Sequence, residues 1–272
     1  MPIILNQKPN SEMPRLSVSK IKTFKSCKLK YKFAYIDYLP QQKRDYLVYG
    51  NFAHKTLELF HQFIIDGDNR ELNVIMTSAF KLAKDKFKDE ITKEQLAEAR
   101  KLFSIYLKNV TKLKINNEFP NVLSAEKGFY IDFDGKFVLN GVIDRVQLDS
   151  DKILHVQDYK TTKKIIYLKK DDFQLQVYAY TKFLEDDSLE NIRASYILLK
   201  HDFTTINKLY TRALVPKLEK ELFKNFETID NEKLWRPETS YLCRYCDYIA
   251  KCRAGQTVTG FNPSTSFGEE EW

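Results

Sequence analysis

The sequence predicts an α/β (mixed α+β) protein in which helices flank a mixed central sheet. Three observations carry this. Apolar residues recur at three- and four-residue steps through the first part of the chain, the period of an amphipathic helix. After Pro120 the texture changes to alternation broken by turn residues, the pattern of a strand meander. Beyond the meander a helical stretch leads into a strand, an α-β step and not another hairpin. The 272 residues are 43% hydrophobic and 14% aromatic, so a sizeable core can be buried. Only 8 glycines exclude collagen-like and linker-like classes.

The first helix signal begins at Ser17, a candidate N-cap. Val18, Ile21, Phe24, Cys27, Tyr31 and Ala34 form one apolar face, opposite Lys20, Lys22, Lys25, Lys28, Lys30 and Lys32, and Pro40 helps end the segment. Gly50 precedes a second helix over 52–66 with Ala53, Leu57, Phe60 and Ile64 on its stripe and His54 and His61 alongside. Residues 71–114 read as helical, most clearly at Leu102, Phe103, Tyr106, Leu107 and Val110. Segment 125–133 alternates, and Asp134-Gly135 signals a hairpin. A second strand follows, then a turn at Asp149-Ser150-Asp151 and a third strand. A helix over 171–185, a strand over 192–199 and a helix over 216–226 complete the pattern. No linker is visible, so the reading is one domain over 1–272 with a helical insertion at 66–118 and a flexible polar tail at 255–272.

The apolar stretch near the start is only three residues long, far short of a signal sequence, and no run approaches the ~18 residues of a membrane span. This predicts a cytoplasmic protein in reducing surroundings, where cysteines serve more often as metal ligands or core residues than as disulfides. The net charge of +7 permits a polyanionic partner.

The informative stretch is GVIDRVQLDSDKILHVQDYKTTKK. Hairpin-linked strands can bring Asp144 and Asp158 together. Lys160 lies two residues beyond Asp158, on the same strand face, which leaves the Tyr159 carbonyl available. Two carboxylates and a carbonyl suit Mg²⁺ or Mn²⁺, and a neighbouring lysine can orient a metal-activated water or offset charge on a phosphate. By itself the D-x-K spacing reads more readily as a surface ion pair on a strand.

Taken together, GVIDRVQL, VQDYKTT and FQLQVYAY resemble the nuclease core of the RecB/AddB-like exonucleases in the PD-(D/E)XK superfamily. The resemblance implies a restriction-endonuclease-like core in which Gln174 and Tyr178, one helical turn apart, border the active site. The segment YGNFAHKTLELF resembles the helix that supplies a metal-ligating histidine, here His54; His61 has no counterpart, and Glu126 matches a further acidic position. The implied metal ligands are His54, Asp144, Asp158 and the Tyr159 carbonyl, with Lys160 catalytic and Gln174 and Tyr178 positioning the strand. The implied activity is a Mg²⁺- or Mn²⁺-dependent DNA exonuclease on single-stranded or frayed ends, in recombination, repair or phage DNA processing. A helicase or recombinase is the implied partner, in a prokaryotic cell or encoded by a phage. The alternatives are a CRISPR-adaptation nuclease that trims prespacers with its partners, and a non-catalytic DNA-end-binding module.

The four cysteines fall into one pattern, Cys27 followed far downstream by Cys243, Cys246 and Cys252 in C-x2-C-x5-C spacing. Four thiolates suit zinc or an iron–sulfur cluster. The arrangement resembles the [4Fe-4S] site of AddB-type and CRISPR-adaptation nucleases, although many of those have Pro where this chain has Lys28. The resemblance implies a structural cluster that staples the two chain ends, with zinc as the alternative. DNA contacts are expected from Lys163, Lys164, Lys169 and Lys170 beside the D-x-K strand, and from the lysines of the first helix interleaved with Phe24, Tyr31, Phe33 and Tyr35.

Overall fold

Alternation over 121–160 becomes three long antiparallel strands: β3 (Asn121–Phe133), β4 (Phe137–Leu148) and β5 (Leu154–Lys160). The computed structural model describes residues 2–9, 13–41, 44–162, 165, 168 and 170–261. At the β3–β4 turn the Lys136 N–H donates to the Phe133 carbonyl at 3.0 Å, and both central residues, Asp134 and Gly135, have positive φ (54° and 69°). Such a turn matches the twist of the strands it joins, and Asp-Gly tolerates it. Phe133 and Phe137 then stack at 4.4 Å across the hairpin end.

The chain divides into two compact units. The larger, residues 1–15 and 44–221, is built on a mixed sheet in the order β1 (Ile3–Ile4), β3, β4, β5, β6 (Asn191–Leu198), β7 (Thr204–Thr211). Among the neighbours in this order of described strands, only β5 and β6 run parallel, joined by the crossover helix α6 (Phe173–Glu185). The expected mixed sheet flanked by helices is present. The chain before it holds β2 (Arg15–Leu16), α1 (Val18–Ser26), α2 (Lys28–Tyr35), α3 (Asp45–Ile65), α4 (Leu72–Lys86) and α5 (Lys93–Ile115). Helix α3 buries Tyr49, Phe52, Ala53, Leu57 and Phe60 in a core shared with α4, α5 and the ring of Tyr159. The helical stretch read over 71–114 with polar breaks is two helices, and at the start of α5 Thr92 and Gln95 form a reciprocal capping box.

Gly141 has a reason to be glycine: a Cβ there would lie 2.7 Å from the ring of its cross-strand partner Phe129. Gly141→Ala is therefore expected to lower stability by about 1–3 kcal/mol, through overpacking against a rigid, buried ring. Thermal melting checks this, and the loss caused by Gly141→Ala should shrink when it is measured in a Phe129→Ala background.

The smaller unit comprises residues 16–43 and 222–272. It contains α1, α2, the end of α7 (Leu214–Asp230), short turns at Tyr241–Tyr245 and Ile249–Lys251, and α8 (Arg253–Thr259). The single helix expected from Ser17 breaks at Cys27, which ends α1 and caps α2. Segments from the two chain ends meet through aromatic rings. Tyr31 stacks on Trp235 at 5.9 Å, Phe24 meets both rings edge-on, and Lys28 pairs with Glu232 at 2.7 Å. Phe24, Tyr31 and Phe33, read as candidates for base stacking, are here used in packing, Phe33 against Tyr248. Among the described residues no helix is long and apolar enough to cross a membrane.

Candidate metal centre

Asp144 and Asp158 are each one residue beyond the Arg145–Gln157 pair of β4 and β5, as hairpin geometry requires. Both are buried, at 7% and 2% exposure. The Tyr159 N–H donates to Asp144 Oδ2 at 2.6 Å, which turns that carboxylate along the strand end. Helix α3 brings in His54 from the other side, with Nε2 3.0 Å from the Tyr159 carbonyl and Nδ1 3.4 Å from Asp144.

A third carboxylate completes the set. The flanking pairs Ala125–Arg145 and Lys127–Ile143 put Glu126 opposite Asp144 in the β3–β4 ladder, and Glu126 Oε1 lies 3.5 Å from His54 Nδ1. Ligand atoms of His54, Glu126 and Asp144 all lie within 4.8 Å of one another. Like charges directly opposite in a sheet are destabilising, and Glu126 also sits at φ 48° inside a strand. The repulsion is what a cation would relieve, and the backbone outlier stands at the same residue. Glu126 was recognisable only as a further acidic position. The ladder sets it opposite Asp144 because Phe133 faces Phe137; counting back from a two-residue Asp134-Gly135 turn would have set it opposite Ile143, one position off.

Asp158 stands beside this set, in a different network. Lys160 Nζ is 2.6 Å from its Oδ2, and the Gln174 amide donates to its Oδ1 at 2.7 Å. The Tyr178 hydroxyl donates to the same oxygen at 3.4 Å, and Lys160 donates to Gln174 Oε1 at 3.0 Å. All these residues line one cleft of about 910 Å³. The predicted residues His54, Asp144, Asp158, Tyr159, Lys160, Gln174 and Tyr178 are thus brought together.

The electrostatics match the crowding. Burial, then the Asp158 charge, push the Asp144 carboxyl up to about 6, against the opposing pull of His54. Burial disfavours the His54 cation, yet hydrogen bonds to Asp144 and Glu126 outweigh it and raise His54 to about 10. The proton that makes His54 a cation between two carboxylates is what a divalent ion would displace. With hard oxygens and one imidazole, the donor set fits Mg²⁺ or Mn²⁺. His61, the second histidine of α3, is not part of it: it is buried among Tyr106 (2.7 Å) and Arg145 (2.9 Å), and burial holds it well below its ordinary value.

The four-cysteine expectation is corrected. Around zinc, four sulfurs would sit about 4 Å apart, given Zn–S bonds of about 2.3 Å. Among the described residues, the group of three or more His, Cys, Asp or Glu ligand atoms within 4.8 Å of one another is His54, Glu126 and Asp144; the cysteines form none. Cys27, Cys243, Cys246 and Cys252 line one cavity of about 90 Å³, where three of the sulfurs accept backbone N–H bonds. Cys27 accepts from the Lys30 and Glu238 N–H groups, Cys243 from Ser240 and Cys252 from Gly255. Neither a [4Fe-4S] cluster nor its zinc alternative is supported, and the finer kinship with AddB-type and CRISPR-adaptation nucleases that the cluster carried goes with it. Of the lysines expected on DNA, Lys170 is exposed, while Lys163, Lys164 and Lys169 lie outside the described residues.

The pattern of the PD-(D/E)XK nuclease superfamily matches residues 15–253. Among solved structures, a protein of Eubacterium rectale described as a "Putative exonuclease" is similar, at 11% identity and TM-score 0.53, covering 86% of this chain and 87% of that one. The structure of SSO0001 is similar at 14% identity and TM-score 0.39, covering 91% of this chain and 89% of that one. No curated protein matches the chain.

Proposed function

The chain belongs to the PD-(D/E)XK nuclease superfamily, and on that premise we propose that it is a Mg²⁺- or Mn²⁺-dependent deoxyribonuclease that works from DNA ends. Membership and the His/Glu/Asp set support a nuclease or hydrolase activity in general, and membership implies DNA binding in general. The observation that carries the finer reading is the meeting of His54, Glu126 and Asp144 beside the Tyr159 carbonyl, with Lys160 paired to Asp158 in the same cleft. His54, Glu126, Asp144 and the Tyr159 carbonyl would hold the cation. Bound there, the metal supplies Lewis-acid activation of water and of the phosphate. Lys160 places a positive charge where the phosphate gains negative charge, and Gln174 and Tyr178 fix the orientation of Asp158. The end preference is supported only by the name of the Eubacterium rectale protein, which is why ends are the first thing to test.

The experiment compares linear single-stranded, linear double-stranded and covalently closed circular DNA, with Mg²⁺, Mn²⁺ or chelator. Metal-dependent loss of linear DNA with circles intact is expected. Cutting of circles would replace the end-directed reading with an endonuclease, and hydrolysis in chelator would overturn the metal assignment. Mn²⁺ at about 100 times its Kd should also stabilise the wild type by about 2.7 kcal/mol, read as a rise in Tm.

A further inference from the structure

The strands that carry the metal centre have a second polar face. Asp144, Asp158 and Lys160 alternate along β4 and β5 with Arg145, Gln147, Gln157 and Tyr159, which point to the other side of the sheet. A sheet face packed under helices is ordinarily Val- and Ile-rich. This one is continued on β6 and β7 by Arg193, Ser195 and Asn207.

Between this face and α5 lies a cavity of about 380 Å³, lined by residues that include Arg145, Gln147 and Gln157. That volume falls in the range of small-molecule sites, about 300–1,000 Å³. Its polar groups are only half satisfied. Gln147 donates to Asp149 at 2.5 Å and Gln157 to His155 at 3.3 Å, and these bonds orient both amides. Their Oε1 atoms, and Arg145 Nε, are buried without a hydrogen-bond partner among the described residues. The three side chains are 5%, 3% and 9% exposed, so each orphaned atom carries a desolvation cost that a ligand would remove. Tyr106, Phe119 and Phe203 supply aromatic walls.

We propose that this cavity is a second ligand site, separate from the metal centre, that takes a nucleoside bearing an exocyclic amino group. The two amide oxygens call for N–H donors, Arg145 Nε calls for an acceptor, and an amino-bearing base presents both on one planar edge. The rings offer it stacking surface. Two arginines, Arg145 and Arg193, face three carboxylates, Glu118, Asp149 and Asp151, so a neutral nucleoside suits the cavity better than its phosphate. Tyr159 belongs to both sites: its ring lines this cavity while its carbonyl meets His54. The assignment does not depend on the nuclease reading.

The test is calorimetric titration of the full chain, in chelator, with adenosine, cytidine, guanosine and thymidine, and with adenosine 5′-monophosphate. One-to-one binding of an amino-bearing nucleoside is expected, weaker for thymidine and for the monophosphate. Gln157→Leu should weaken it about tenfold, the loss of one buried hydrogen bond. Thr205→Trp, at an exposed rim position, should block entry even if Gln157→Leu fails to fold. Asp144→Asn should bind as wild type does. The proposal is overturned if no nucleoside binds at about 10 mM, a free energy too weak to matter for a built site. It is equally overturned if thymidine binds as well as the others, or if Thr205→Trp retains binding that Asp144→Asn loses.

Discussion

Asp144→Asn is expected to cut nuclease activity by about 10³-fold or more while leaving the metal-free protein as stable as the wild type, or more stable. The carboxylate is buried at 7% exposure, stands opposite Glu126 and is adjacent to Asp158 at the strand ends. Its carboxyl is raised from an ordinary value of 3.8 to about 6, by burial first and by the Asp158 charge second. The folded protein therefore binds this proton more tightly than the unfolded chain does. The contribution to stability is fully present below pH 3.8 and is lost as pH rises through about 6. At pH 7 the ionised carboxylate costs on the order of 2–3 kcal/mol at most. Asparagine keeps the shape, can still accept from the Tyr159 N–H and removes the charge, and Glu126 remains to pair with His54. The measurement is Tm against pH in chelator. Wild type should lose stability between about pH 4 and pH 6.5 through this group, and the variant should lack that fall. Mn²⁺ should raise the Tm of the wild type and not of the variant. A variant that is inactive and also several kcal/mol less stable would make Asp144 a structural residue.

That opposition of function and stability explains which features were legible in the sequence. The β3–β4–β5 meander could be read because each strand alternates and each turn carries its own residue signal, Asp134-Gly135 above all. Once two hairpins were placed, the meeting of Asp144, Asp158 and Lys160 followed from the period of two. Strand β7 was not foreseen: TTINKLYT is half exposed at the sheet edge, so its alternation of Ile206, Leu209 and Tyr210 with polar residues is faint. The break at Cys27 was hidden because the apolar stripe runs unbroken through α1 and α2, and the chain turns on a backbone change the stripe does not record. Helix α3 starts seven residues before the expected 52, at Asp45, because Gly50, read as the residue before the helix, lies inside it. Residue types suggested a cysteine ligand set, but spacing in sequence does not fix where sulfurs point. Here three of them cap nearby backbone N–H groups.

Lys160→Met should behave oppositely to Asp144→Asn: activity falls by about 10²–10³-fold and stability falls with it. The ammonium is 2.6 Å from Asp158 Oδ2, and Asp158 is only 2% exposed. Removing one partner of a buried pair leaves the other charge uncompensated, a loss of about 3–5 kcal/mol when both are fully buried. Lys160 keeps a quarter of its side chain exposed, and Asp158 retains its bonds to Gln174 and Tyr178, so the lower end, about 3 kcal/mol, is expected. The lost contact of Lys160 over the Tyr196 ring, at 5.2 Å, adds little because Met replaces the stem that packs there. The decisive variant is the double one. Asp158→Asn with Lys160→Met removes both charges together, so denaturant unfolding should show most of the stability restored, with a coupling of about 1–3 kcal/mol. Activity should stay lost, because the restored fold has no cation beside the phosphate. If Lys160→Met alone unfolds at the same denaturant concentration as the wild type, the pair is a solvated surface contact and Lys160 is not held for catalysis. If the double variant regains activity along with stability, the lysine serves the fold alone.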